Sequence, residues 1–204
     1  MRRRSFLKRV FQGRVDCALV ALQVVVQEFA VPALRAKLHA VIDGPDALAS
    51  PDEKRLFYRK IAAILGRTVP FLEYGYWEYT TRAKDAREGF EQWVSEIEAG
   101  MATVAEETVS DADEAERIDV EKRYIAVSMI FLVTHPVHAL EEMDAEEDAS
   151  WTRDAFKRLL EETTRLDFNT MLADAVFLVP GSDEDGLTDF DLADEGWGHL
   201  EYLT

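Results

Sequence analysis

A single cysteine, Cys17, stands in a chain of 204 residues, so no disulfide framework and no Cys-x-x-Cys redox pair can form within one molecule. Val15, Ala18 and Leu19 around it favour a small buried hydrophobe over a reactive thiol. Basic side chains are scarce too, 23 against 40 acidic, for a net charge of −17. Such a body repels polyanions, which argues against nucleic acid as a partner. No apolar run is long enough to cross a bilayer: the stretch from Cys17 to Val26 contains Gln23 and meets Gln27 and Glu28 directly. Missing as well are a Gly-x-Ser-x-Gly elbow, a Walker loop and a Gly-x-Gly-x-x-Gly turn. What remains is ample for a core, since 48% of the residues are apolar.

The few positive charges are unevenly spread. Residues 1–14 hold six (Arg2, Arg3, Arg4, Lys8, Arg9, Arg14) and no acid, which leaves −23 on residues 15–204. The start "RRRSFLK" has the form of a twin-arginine export signal. Arg14 and Asp16 interrupt before any uncharged stretch develops, so a cytoplasmic protein is expected. As a helix, the arm would place Phe6, Leu7, Val10 and Phe11 on one face, with Arg2, Arg3, Arg4, Lys8 and Arg9 around them. That pattern suits weak, peripheral association with an anionic membrane surface. The structural alternative is an extension neutralised by the acids of the body.

Along the rest of the chain, Leu19, Leu22, Val26, Phe29 and Ala33 recur at helical spacing, predicting one long helix over 15–41, or two pieces kinked at Pro32. Ser50-Pro51-Asp52-Glu53 is a helix start, predicting a second helix to about residue 65. The aromatic stretch "FLEYGYWEYTT" predicts a strand near 74–81, and Phe90, Trp93, Val94, Ile97, Met101 and Val104 a helix over 86–104. Residues 110–121 read as a solvated acidic linker and 138–150 as an acidic loop. The runs "RYIAVSMIFLVTH" and "LADAVFLVPG" predict buried strands on either side of a helix over 150–166, arranged as a parallel crossover. The expected fold is therefore α+β: two N-terminal helices packed on a small sheet of about three strands with helical crossovers. In domain terms this is a basic arm, 1–14, and a single α+β domain, 15–204, ending in an acidic tail.

Candidate chemistry is sparse. His135 and His138, followed by Glu141 and Glu142, could begin a zinc site, yet they lack a full ligand set. A polar strand end running into a loop explains them equally, so no metal and no cofactor is expected. In the tail, aligning Gly186 with the glycine of a calcium-binding loop puts Gly181 and Leu192 where oxygen donors must stand, and the motif fails. Tyr74, Tyr76, Trp77 and Tyr79 offer an interaction platform for a partner protein or sugar, or the ordinary cross-strand packing of a sheet.

The order of these elements resembles domain-of-unknown-function family 1517, a cyanobacterial and plastid family that includes the fluctuating-light-acclimation proteins. The resemblance rests on Leu22-Gln23-Val24, on Tyr124, Ile125 and Val127, on the strand closing at Pro180, and on Asp185, Leu187-Thr188, Asp191-Leu192, Leu200 and Leu203. It spans about residues 15–204 and brings no catalytic residues with it. The function expected is a non-enzymatic interaction or regulatory protein with an unknown protein partner. The alternative is a hydrolase-type enzyme using dispersed acidic residues. A deep pocket with convergent carboxylates or a His–carboxylate pair favours the enzyme; a flat aromatic surface favours the binder.

Overall fold

The computed structural model describes residues 3–5, 16–27, 33–44, 50–107, 123–145, 151–181 and 186–204, with side chains described except at 3–5, 101–107 and 195. Among the described residues, one sheet is built from β1 (Arg3–Ser5), β2 (Ala18–Gln27), β3 (Leu72–Thr80), β4 (Tyr124–Val133), β5 (Met171–Val179) and β6 (Glu201–Tyr202). Their order is β1-β5-β4-β2-β3-β6, and every neighbouring pair is antiparallel. The helices are α1 (Leu34–Ile42), α2 (Pro51–Gly66), α3 (Ala83–Glu107), α4 (His138–Asp144), α5 (Arg153–Thr163) and the single turn α6 (Asp189–Leu192). No described helix is long and apolar enough to cross a membrane.

This architecture corrects the expected one. The first part of the helix predicted over 15–41 is instead the central strand β2, and its second part is α1, which with α2 precedes β3. The reason is burial on two sides. Ala18 through Val26 are all buried, with β3 and β4 on the flanks and helices over both faces. A strand covered on both faces needs no polar alternation, so its apolar run also satisfies a helical template. The β-branched Val24-Val25-Val26 was the local sign of extended backbone. The parallel crossover is overturned as well: β4 and β5 pair antiparallel. The stretch expected as an acidic loop opens with α4, which buries Leu140 and Met143. Arg3–Ser5 of the basic arm pairs with β5 at the sheet edge. The remaining arm residues, Phe6, Leu7, Lys8, Arg9, Val10 and Phe11 with Arg2, and the linker at 110–121 lie outside the described residues.

The even-numbered side chains of β2 (Leu22, Val24, Val26) enter the larger core with Leu38, Phe57, Ile61, Phe156 and Leu160 from α1, α2 and α5. The odd-numbered ones (Leu19, Ala21) meet Ala86, Phe90, Trp93 and Val94 of α3 on the other face. Ser50 starts α2 as a capping box: its hydroxyl accepts from the Glu53 amide at 3.2 Å, and its own amide donates to the Glu53 carboxylate at 3.0 Å. One turn on, Tyr58 is fully buried edge-on to Phe131, centroids 4.6 Å apart. Its hydroxyl donates to Asp174 of β5 at 3.0 Å, and Lys54 donates to the other oxygen of that buried carboxylate. Two charge-assisted contacts thus fix the register of α2 over the sheet.

Gly75 of β3 is required by close approach. A Cβ there would stand 2.5 Å from Cε1 and 2.6 Å from Cζ of Phe156. Gly75→Ala should destabilise the protein by about 1–3 kcal/mol through overpacking, read as a lower urea midpoint. Adding Phe156→Leu to that variant should recover part of the loss. An unchanged midpoint for Gly75→Ala would show that the helix gives way freely.

Candidate functional site

The smaller core does not cover its sheet face completely. Between the α3 cluster and a third apolar cluster around Val25, Tyr124, Ala126, Val179 and Leu187, strand β2 presents Gln23. Over it opens a pocket of about 720 Å³. Its floor is Gln23 of β2, Tyr76 and Glu78 of β3, and Val179 of β5. One wall is the stripe Gly89, Gln92, Trp93, Glu96, Ile97 and Gly100 of α3, residues three and four apart along one helix face. The opposite wall is the tail, through Gly196, Trp197 and His199.

Hydrogen bonds order the floor. Gln23 is 2% exposed, and its Nε2 donates to Ser128 Oγ on β4 at 2.8 Å. Its Oε1 lies 2.7 Å from Nε2 of His199. With the amide so oriented, the oxygen accepts and the imidazole carries its proton on Nε2. Trp93 Nε1 donates to Glu78 Oε2 at 2.7 Å, and Gln92 Nε2 donates to Glu96 Oε1 at 2.8 Å. Aromatic rings supply the sides. Tyr76 lies between Trp93 and Trp151, stacked on both at centroid distances of 5.7 and 5.8 Å. The His199 ring stands edge-on to Tyr76 at 5.1 Å and to Trp93 at 6.1 Å. Although His199 keeps solvent exposure, burial of its ring lowers its pKa, and Glu96 opposes this weakly. Burial, then Glu78, raise the pKa of the Tyr76 hydroxyl. At neutral pH the pocket therefore holds a neutral imidazole and a protonated phenol beside two glutamates, and no lysine or arginine is among its described lining residues.

The aromatic stretch of β3 is divided by strand alternation. Tyr76 reaches the pocket. Trp77 and Tyr79 enter the larger core, where the Tyr79 hydroxyl accepts from the Val137 amide at 2.7 Å. Tyr74 packs edge-on against Tyr124 and Tyr202. His138 opens α4 with an exposed side chain 3.5 Å from Glu141 and 3.4 Å from Glu142. No group of three or more metal-capable side chains gathers among the described residues. Cys17 is buried, its thiol 3.4 Å from the Ala83 carbonyl, and burial raises its pKa. Sequence reasoning passed over Gln23, Glu78, Trp93, Glu96 and His199. The available signal was Gln23 itself, a lone amide in the apolar run, matched by Ser128 in another.

In comparison with known proteins, no family model, no curated protein and no solved structure matches the chain.

The depressed pKa of His199 carries a stability consequence with a defined sign. Below about pH 6.5 the unfolded chain takes up the proton before the folded one does. This group's contribution is intact above that pH and declines as pH falls toward the folded value. The difference in unfolding free energy between wild type and His199→Gln should therefore shrink on going from about pH 7.5 to pH 5.5. Subtracting the variant removes the background of the carboxylates. Parallel pH profiles for the two proteins would contradict this assignment.

Proposed function

We propose that the protein is a non-enzymatic, ligand-responsive interaction protein whose pocket takes a small, partly apolar organic molecule. The observation that carries this reading is the pocket itself: aromatic and aliphatic walls with a few placed polar groups, at about 720 Å³ within the range of small-molecule sites. The concave site replaces the flat aromatic platform that the sequence suggested for a binder. It also contains carboxylates and a histidine, the features that would favour a hydrolase. Their partners favour binding. Glu78 accepts from an indole, Glu96 from an amide, and His199 meets an amide, not a carboxylate. The serine in the network, Ser128, is fully buried beneath Gln23. A cytoplasmic location and weak peripheral association with an anionic surface belong to the same proposal, on the split between the six basic charges of the arm and the acidic body. So does membership of family 1517.

A plug tests it. A Cβ on Gly100 meets nothing within 4 Å, and Gly100 lines the pocket from within α3. Gly100→Phe should fill the space and improve helix propensity. Wild type should bind the neutral probe N-phenyl-1-naphthylamine with a fluorescence rise. The plugged variant should bind it at least about tenfold more weakly with an unfolding midpoint no lower than wild type. Equal binding by both proteins would remove the pocket from the account.

A further inference from the structure

We infer that the pocket selects an amphiphilic amine, a protonated nitrogen on an apolar body, with Glu78 receiving the cation, Glu96 adding negative charge farther along α3, and Ile97, Val179 and Trp197 receiving the body. This rests on the ligand-binding reading above. Three observations carry it. The first is composition: among the described residues, the lining has two carboxylates and no lysine or arginine. A cationic ligand meets no positive side chain there, while an anionic ligand meets two negative ones. The second is the rings. Trp93 and Tyr76 present stacked π-systems next to Glu78, whose carboxylate is held by the Trp93 indole N–H. With Tyr76 stacked between Trp93 and Trp151, the rings hold the carboxylate in place, and an ammonium group is attracted by that fixed charge, whereas a neutral alcohol of the same shape gains little from it.

The third observation is direction. Glu78 stands on β3 and Val179 on β5, with β2 and β4 between them in the sheet. Three strand spacings separate these ends by about 14 Å. Along α3, the lining starts at Gly89, whose would-be Cβ lies 3.5 Å from Glu78 Oε1, and ends at Gly100, about 16 Å farther along the helix. Ile97 and Trp197 pack toward the cluster that holds Val179. The pocket thus runs from Glu78 and the aromatic rings, past Glu96 about two turns beyond Gly89 on α3, to an aliphatic end. Its volume suits a whole small molecule, and the acidic body raises the local concentration of cations around the mouth. The neutral state of His199 at physiological pH keeps a competing positive charge out of the middle of the site.

Three compounds sharing one apolar body separate the two proposals: 4-phenylbutylamine, 4-phenylbutan-1-ol and 4-phenylbutyrate, titrated calorimetrically into the full chain at neutral pH. The amine should bind at least about tenfold tighter than the alcohol, and the carboxylate more weakly than both. Glu78→Gln keeps an oxygen for the Trp93 indole and removes the charge. It should bring the amine to within about threefold of the alcohol and leave the alcohol unchanged. Glu96→Gln, at an exposed position that folding tolerates, should reduce the preference on its own. Equal binding of amine and alcohol, with both lost in Gly100→Phe, would overturn the amine assignment and leave pocket binding standing. No binding of any compound, or binding untouched by Gly100→Phe, would overturn both. An amine preference that survives both glutamine variants would show that these carboxylates do not read the cation.

Discussion

An amide buried in the middle of a sheet has to find partners for a carbonyl oxygen and two N–H groups, or cost about 1–3 kcal/mol for each polar group left bare. Gln23 is placed in that position by its neighbours, not by its own preference. Leu22 and Val24 on either side enter the larger core, which turns Gln23 to the opposite face with Leu19 and Ala21. One N–H is met by Ser128 on the adjacent strand and the oxygen by His199 from the far end of the chain. The second contact spans 176 positions and brings the tail back over the sheet. Remove the amide and the tail loses a polar reason to lie there. With it, an aromatic and acidic space is enclosed between α3, the sheet and the tail.

The same central strand explains which parts of the fold the sequence made legible. The start of α2 was readable because Ser50, Pro51 and Glu53 act within four residues of one another, and the cap geometry is local. Strands β4 and β5 were readable as buried runs bounded by polar residues. For β2 the same kind of run was ambiguous. Burial on two faces erases the period-two signal, and the apolar positions satisfied a helix template equally well. Topology was less accessible still. The single helix expected between β4 and β5 suggested a parallel crossover, but α4 and α5 return the chain to an antiparallel neighbour on the same sheet. Nothing in the two strand sequences distinguishes those arrangements, because strand direction is fixed by which faces the intervening helices must cover. Here α4 and α5 join α1 and α2 over one face, while α3 and the tail cover the other.

The pocket was mostly hidden for a related reason. Its residues come from positions 23, 76–78, 89–100, 179 and 196–199, and no local spacing links them. Trp93 belongs to the apolar stripe of α3 and reads as core, which it also is. Its indole N–H is what makes it part of the site, through Glu78 fifteen positions earlier. Tyr76 was singled out as an aromatic, but only pairing to β2 opposite Gln23 separates it from Trp77 and Tyr79, which face the other way. The clue that sequence did contain was mismatch. Gln23 and Ser128 interrupt two of the most apolar runs in the chain and turn out to be directly paired partners in the sheet.

The wall supplied by the tail differs in kind from the other walls. It is pinned at two ends. At one, Leu187 exchanges backbone hydrogen bonds with Tyr124 at 2.8 and 3.0 Å; at the other, the buried Leu203 donates its amide to the Glu73 carbonyl at 2.9 Å. Between these pins the tail is largely exposed, and β6 contributes only a two-residue pairing. Segments with few buried apolar contacts occupy the low end of a protein's local stability. The helix wall, by contrast, is rooted through Phe90, Trp93 and Val94 in the smaller core. A molecule between the walls would touch one rigid surface and one held mainly by the Gln23–His199 contact, the ring packing around it and the two pins. Its binding free energy would therefore act chiefly on the tail, adding contacts to a largely exposed segment. Occupancy could then be communicated outward as a change in the order of an acidic surface segment, without movement of the sheet. That is the physical sense in which the pocket would serve the interaction role proposed above.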